Sequence, residues 1–259
     1  MQIRFHKYQG TGNDFVMIDD RDESFPADNA SVIGFLCDRK MGVGADGVIL
    51  IQNHPELDFR MVYYNPDGSQ SLCGNGSRCA IAFAEALGII KDKTTFETTD
   101  GVHDAFIEQD IYHFHLHDVS EVEQISETDL FINTGSPHHI QIVDKVDQVD
   151  IIPAGQSIRY SDKYTPSGTN VNFIEKLENE LKVRTYERGV ENETLSCGTG
   201  VTACALAADL LNYKSPVTVQ TKGGELKVSF EKNGHNTYQN IYLAGPAKKV
   251  FEGVVEVPH

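Results

Sequence analysis

The sequence has no long apolar run. Nothing approaches the roughly 20 residues of a membrane-spanning helix, and Met1 to Gly10 lacks the apolar core of an export signal. The chain therefore reads as soluble, unexported and cytoplasmic. Basic residues are also scarce, with 22 Lys and Arg against 38 Asp and Glu and a formal net charge of -16. No basic run or basic amphipathic helix offsets that charge, so neither nucleic acid nor a membrane is an expected partner. Cysteine is sparse: five residues (Cys37, Cys73, Cys79, Cys197, Cys204) with no CxxC, which argues against a disulfide framework and against a zinc site of the usual spacing. With 40% hydrophobic residues in 259, the chain still has enough apolar material for a real core, in one large domain or two smaller ones.

Two short stretches are near copies of one another. Leu72-Cys73-Gly74-Asn75-Gly76 and Ser196-Cys197-Gly198-Thr199-Gly200 each run into an Ala-rich apolar segment, Ser77 to Leu87 and Val201 to Leu211, without a helix breaker. Each reads as a Cys at the mouth of a helix, with the glycines permitting a tight turn. The free N–H groups and positive dipole end of a helix mouth lower a thiol pKa and also hold a carboxylate. Cys79 and Cys204 sit inside the helices and read as small buried hydrophobes.

In chain order, Ile3 and Phe5 open a strand that turns at Gly10-Thr11-Gly12-Asn13 into Phe15 to Ile18. Ser31 to Lys40 has helical spacing. The hexamer Gly42 to Gly47 matches GxGxxG, but it follows a helix and opens the strand Val48 to Ile51, the reverse of the dinucleotide-binding context. Asp58 to Tyr64 alternates as a strand, Asn65-Pro66-Asp67-Gly68 is a turn, and the first Cys helix follows. Thr94 to Thr99 and Val102 to Leu116 read as a hairpin about Asp100-Gly101. Within it His113, His115 and His117 share a face opposite Tyr112, Phe114 and Leu116, and with no acidic or Cys partner nearby that face reads as solvated rather than metal-binding. Asp118 to Asp129 is acidic and aperiodic, a candidate boundary. Ser215 to Glu231, Asn236 to Leu243 and Ala244 to Glu256 supply the last strands.

Beyond that boundary the pattern restarts. Thr134-Gly135 follows Thr11-Gly12 by 123 residues, Ser167 to Ile174 follows Gly44 to Ile51 by 123, and Val183 to Glu187 falls on Arg60 to Tyr64 at the same offset. The Cys turns are 124 apart, as if one residue were inserted between. The expected architecture is a duplicated α+β fold of two pseudo-symmetric halves, residues 1–118 with 247–259 and residues 119–246. Each half is a curled, mostly antiparallel sheet around a central apolar helix, and the active-site cleft lies between the halves.

One Cys in each half of a pseudo-two-fold protein suits a reaction whose substrate and product are mirror images at one carbon. Inverting an amino-acid α-carbon needs a base on one face and an acid on the other, and thiolate and thiol exchange those roles when the direction reverses. The thiol reference pKa of about 8.5 lies nearer working pH than that of Lys or Tyr.

Asn65-Pro66-Asp67-Gly68-Ser69 leading to Cys73-Gly74-Asn75-Gly76, with Gly12-Asn13-Asp14-Phe15 upstream, resembles the N-terminal half of the diaminopimelate epimerase family. Tyr186-Glu187-Arg188-Gly189 leading to Glu193-Thr194-Leu195-Ser196-Cys197-Gly198-Thr199-Gly200 is similar to its C-terminal half. The resemblance covers nearly the whole chain. It implies interconversion of LL- and meso-diaminopimelate on the route to lysine and peptidoglycan precursors, without pyridoxal phosphate or metal, by a homodimer. It further implies that Cys73 and Cys197 are the acid/base pair, that Gly74, Asn75, Gly198 and Thr199 offer backbone donors to the reacting carboxylate, and that Asn13, Asn65, Asn170, Glu187 and Arg188 contact substrate. His138 matches a histidine near the family site. Ser136 and Gly47 depart from some members, which carry Asn and Gln there. Two other readings stand beside this one: a related cofactor-free isomerase such as a proline racemase-like enzyme, and a non-catalytic thiol switch joining Cys73 to Cys197.

Overall fold

The protein is described from a computed structural model over residues 1–234 and 236–257. The chain divides into two compact units, one of Met1–Phe114 with the segment from Gly245 onward, the other of His115–Ala244. Of the tail expected in the N-terminal half, residues 258 and 259 lie outside the described residues.

The first unit opens with β1 (Gln2–Gly10), β2 (Asn13–Asp19), α1 (Ala30–Cys37), β3 (Gly47–Gln52), β4 (Phe59–Tyr64), α2 (Gly74–Ala86), β5 (Lys93–Thr98), β6 (Gly101–Glu108) and β7 (Ile111–Leu116). The second holds β8 (Val122–Gln124), β9 (Asp129–Asn133), β10 (Pro137–Val143), α3 (Ile151–Arg159), β11 (Asn170–Lys176), β12 (Glu180–Glu187), β13 (Asn192–Thr194), α4 (Gly198–Asp209), β14 (Val217–Thr221), β15 (Gly224–Lys232) and β16 (Tyr238–Gly245). A last strand, β17 (Lys248–Glu256), returns to the first unit and pairs antiparallel with β1.

Each unit is mostly antiparallel with two parallel pairings, and each parallel pairing is bridged by a helix, because parallel neighbours need a crossover. In the first unit these are β2 with β3 across α1 and β4 with β5 across α2. In the second they are β10 with β11 across α3 and β12 with β14 across α4. The registers match. Phe15 pairs with Gly47 and His138 with Asn170, both 123 residues on, while Val48 pairs with Tyr64 and Val171 with Tyr186. The last pair corrects the expected alignment: Tyr64 corresponds to Tyr186, not Glu187. Two residues, rather than one, are therefore inserted before the second Cys.

The run Val48 to Ile51 is apolar at every position because both faces are covered. Val48 and Leu50 join Val16, Ile18 and α1 residues Val32, Ile33 and Leu36 in one core. On the other face Phe15 and Ile49 lie within van der Waals reach of where a side chain at Gly76 on α2 would stand. Helix α2 is buried from Gly74 through Ala84, packed against β1 to β4, and α4 is buried from Gly200 through Ala208 against β9 to β12, β14 and β15. A helix apolar all round has no solvent face to offer, and each sheet encloses its own.

Two expectations change. Val102 to Leu116 is two strands, β6 and β7, since Gln109 and Asp110 both adopt positive φ (52° and 62°) and reverse the chain without glycine. Of the expected His face, His113 and His115 on β7 are half-buried and His117, just past the strand, is exposed; His113 stacks on Phe106 at 4.1 Å, and burial pushes its imidazole pKa down. Helix α3 has no counterpart among the expected elements. It packs through Ile151, Ala154 and Ile158 against Val171, Phe173 and Tyr186. At Gly155 an added Cβ would lie 2.4 Å from Tyr186 Cβ, so Gly155→Ala should destabilise by about 1–3 kcal/mol through overpacking. A urea unfolding midpoint that stays at the wild-type value would refute that contact.

Candidate active site

Cys73 is the N-cap of α2 and Cys197 that of α4, both in extended conformation. Neither motif contains a left-handed glycine, which corrects the tight-turn reading. The second glycine of each is closely approached. A Cβ at Gly200 would meet Asn172 Oδ1 at 2.5 Å and must displace that amide, and one at Gly76 would press on Ile49 Cδ1 at 3.0 Å.

In the first unit, the Cys73 thiol donates to Asn13 Oδ1 at 3.5 Å and its sulfur accepts from Gly76 N–H at 3.4 Å. One sulfur thus has a partner for each protonation state, which suits an acid that must also act as base. Asn13 is held by Asp46, which takes its amide N–H. Asp46 is in turn bound by Arg39 at 2.8 Å, and Arg39 also pairs with Asp14, itself 2.6 Å from the buried Lys7. Burial pushes the Asp14 carboxyl up, but hydrogen bonds and charge from Arg39 and Lys7 outweigh it and hold the pKa down to about 2. Asn75 Nδ2 also donates to Asn13 Oδ1, while its own oxygen accepts from Arg78 Nη2 at 2.9 Å. Arg78 is fully buried, and burial lowers its pKa to about 10. The same guanidinium donates to Thr11 Oγ1 at 3.1 Å.

In the second unit, Cys197 Sγ lies 3.6 Å from Thr199 Oγ1, which is 2.9 Å from Nε2 of the fully buried His138. Asn170 Nδ2 donates to Ser136 Oγ at 2.9 Å and to the Pro137 carbonyl, and Asn170 Oδ1 accepts from Arg188 N–H. Glu187 accepts from Thr194 Oγ1 at 2.8 Å, and the Arg188 guanidinium donates to the Ser167 carbonyl. Burial pushes Cys204 well up, as it does Cys79, so both are held as thiols inside their helices.

The structure thus groups Cys73, Asn13, Asn75 and Gly74 at one helix mouth. It groups Cys197, Thr199, Gly198 and His138 at the other, with Asn170, Ser136 and Arg188 joined beside it. Asn65 sits in the approach turn, its amide donating to Ser69 and Ser71. At Gly47 no side chain fits, because Tyr63 Cε2 would be 2.3 Å from its Cβ. Arg78, Thr11, Asp46, Tyr63, Asn172 and Thr185 escaped the sequence reading. Only Arg78 gave a signal, a charged residue inside an otherwise apolar helix.

The model of the diaminopimelate epimerase family matches residues 5–115 and 130–250. The chain belongs to that family. A diaminopimelate epimerase from Flavobacterium psychrophilum is 50% identical over 98% of this chain and 100% of its own. Among solved structures, a phenazine biosynthesis protein from Bacillus anthracis is 16% identical with a TM-score of 0.79, over 99% of this chain and 100% of that one. A probable proline racemase from Agrobacterium radiobacter is 15% identical with a TM-score of 0.72, over 99% and 93%. At such identities these two share the fold, and it is the diaminopimelate epimerase relative that carries the family.

His138 makes stability depend on pH. Burial, helped by the charge of Arg188, pushes its pKa from 6.5 down to about 3. The unfolded chain therefore binds the extra proton first, and this stability is complete above pH 6.5 and lost as pH falls toward 3. At pH 5 the loss is about 2 kcal/mol. Urea midpoints at pH 7 and pH 5 should fall clearly less for His138→Phe than for the wild type, and equal falls would discount the effect.

Proposed function

We propose that the protein interconverts LL- and meso-2,6-diaminopimelate by removing a proton from the α-carbon on one face and returning one on the other, with Cys73 and Cys197 as the two acid/base residues. The observation that carries this reading is the matched placement of two cysteines. In a chain of the diaminopimelate epimerase family, each enclosed helix opens on a Cys at an equivalent point of the duplicated fold. The free N–H groups of Gly74, Asn75, Gly198 and Thr199 then receive the reacting carboxylate, where helix dipoles favour negative charge. Asn13, Asn65, Asn170, Glu187 and Arg188 seat the substrate, with Arg188 as the natural anchor for the distal carboxylate. No cofactor is needed if thiolate and thiol carry the proton.

In D₂O the reduced protein should wash deuterium into the α-position of diaminopimelate but not of proline, followed by proton NMR. Cys73→Ala and Cys197→Ala should each lower epimerisation at least 10²–10⁴-fold, the usual worth of a general acid or base. Near-normal turnover in either folded variant would defeat the two-base assignment.

We propose a cytoplasmic location, where reduced thiols persist. Among the described residues no helix is long and apolar enough to cross a membrane. We assign a homodimer, and the exposed apolar side chains Val250, Phe251 and Val254 on β17 offer a surface for the second copy. Sedimentation at the mass of two chains is expected, and Val254→Glu should shift it toward one.

A further inference from the structure

The hairpin that carries Arg188 is longer than its counterpart in the first unit. Tyr64 bridges Gln70, six residues on, whereas the equivalent Tyr186 pairs with Glu193, seven on. The shorter turn closes on itself, with Asn65 N–H donating to the Ser69 carbonyl at 2.8 Å and Asp67 Oδ1 accepting from the Ser69 N–H and hydroxyl. The longer one reaches outward. Glu191, at a φ of 56°, carries a carboxylate that gathers five donors. Its Oε1 accepts from Gly189 N–H at 2.9 Å and from Arg159 Nη2, and its Oε2 accepts from Arg159 Nε at 2.7 Å, the Tyr160 hydroxyl at 2.7 Å and the Tyr186 hydroxyl at 2.9 Å. Arg159 is the last residue of α3 and Tyr160 its C-cap.

Arg159 also lies against the segment on the other side of Arg188. A Cβ at Gly168 would strike Arg159 Nη1, and the carbonyl of the preceding Ser167 accepts from the Arg188 guanidinium at 3.3 Å. The Arg188 backbone N–H is fixed in turn by Asn170 Oδ1 at 2.9 Å. One ion pair, Glu191 with Arg159, thus joins both segments that hold Arg188. We propose that Glu191, clamped by Arg159, is a positioning residue that holds the Arg188 guanidinium in place for the far carboxylate of the substrate. The inference rests on the reading of Arg188 as the distal anchor.

The competing explanation is that Glu191 and Arg159 merely pin a helix to a sheet. Exposed ion pairs are worth little for that purpose, and α3 already packs through Ile151, Ala154 and Ile158. Nor is this pair an open surface contact, since the Arg159 side chain is 13% accessible and Tyr186, which shares the carboxylate, is fully buried. The duplication points the same way. Arg188 stands two residues past Tyr186, and two residues past Tyr64 the first unit has Pro66, which carries no charge to place. The turn around Pro66 is closed by its own groups. The clamp accompanies the arginine.

The charges on both sides suit this role. Hydrogen bonds, that from Arg159 foremost, outweigh desolvation and hold the Glu191 carboxyl down to about 2, so it stays ionised at working pH. Arg159 grips it through both Nε and Nη2, a two-pronged geometry that fixes direction as well as distance. Among the described residues the Arg188 guanidinium bonds only through Nη1, to Ser167, which leaves its Nε and Nη2 N–H groups for a carboxylate.

The test is the steady-state kinetics of diaminopimelate epimerisation by the full chain. Glu191→Gln should raise KM about tenfold with a much smaller change in kcat, the pattern expected when binding common to ground and transition states is weakened. Arg159→Met, at the other end of the clamp, should do the same. Arg188→Met should raise KM at least as far, and adding Glu191→Gln to it should raise KM no further, because the two act through one contact. An unmoved KM in folded Glu191→Gln and Arg159→Met overturns the proposal. So does a Glu191→Gln effect that persists in full beside Arg188→Met, the result for a merely structural tie. A wild-type KM in Arg188→Met overturns the anchor reading as well, so the two failures are told apart.

Discussion

The fold depends on enclosing two helices that have no polar face. Once α2 and α4 must be covered on all sides, only their ends can reach anything other than hydrocarbon. At the N-terminal end the first-turn N–H groups have no intrahelical partners and must be met by side chains, water or a ligand. A Cys at the cap is therefore set on a rigid element, at the point where the backbone offers donors and the dipole is positive. The place of each Cys follows from a packing requirement, and the second glycine after it lets that end lie close to its sheet.

The two helix mouths share geometry but not chemistry. Around Cys73 the polar groups belong to an ionic network running from Lys7 through Asp14, Arg39 and Asp46 to Asn13, with Arg78 sunk behind Asn75. Around Cys197 the groups bonded in series are neutral, a hydroxyl, an imidazole and an amide, and Arg188 supplies a charge beside them. A duplicated scaffold has thus acquired two different electrostatic settings for the same residue type.

Much of this was legible in the sequence because duplication doubles every signal. The Cys turns, the Asn-Pro-Asp-Gly turn and the run from Val48 to Ile51 each carry strong local chemistry, and their common offset turned separate hints into one architecture. What escaped is what local pattern does not encode. The β6–β7 reversal at Gln109-Asp110 uses residues with no strong turn signature, and the β12 alignment slipped by one because strand alternation alone does not fix register. Helix α3, carrying Pro153 and Gly155, looks like a loop in isolation, although its place between β10 and β11 mirrors that of α1 between β2 and β3. Buried partners such as Asn172 and Thr185 were invisible because what gives them meaning is another strand's register or another residue's amide.

The return of β17 to β1 has a consequence for how the chain is made. The second unit is one unbroken stretch, His115–Ala244, whose strands and helix are all present once that stretch has left the ribosome. The first unit has its helix and most of its strands earlier but waits for a strand more than 130 residues further on to cover β1. Synthesis order and completion order are thus reversed: the half begun first is finished last, and until then the edge of β1 presents open backbone donors and acceptors to any passing strand.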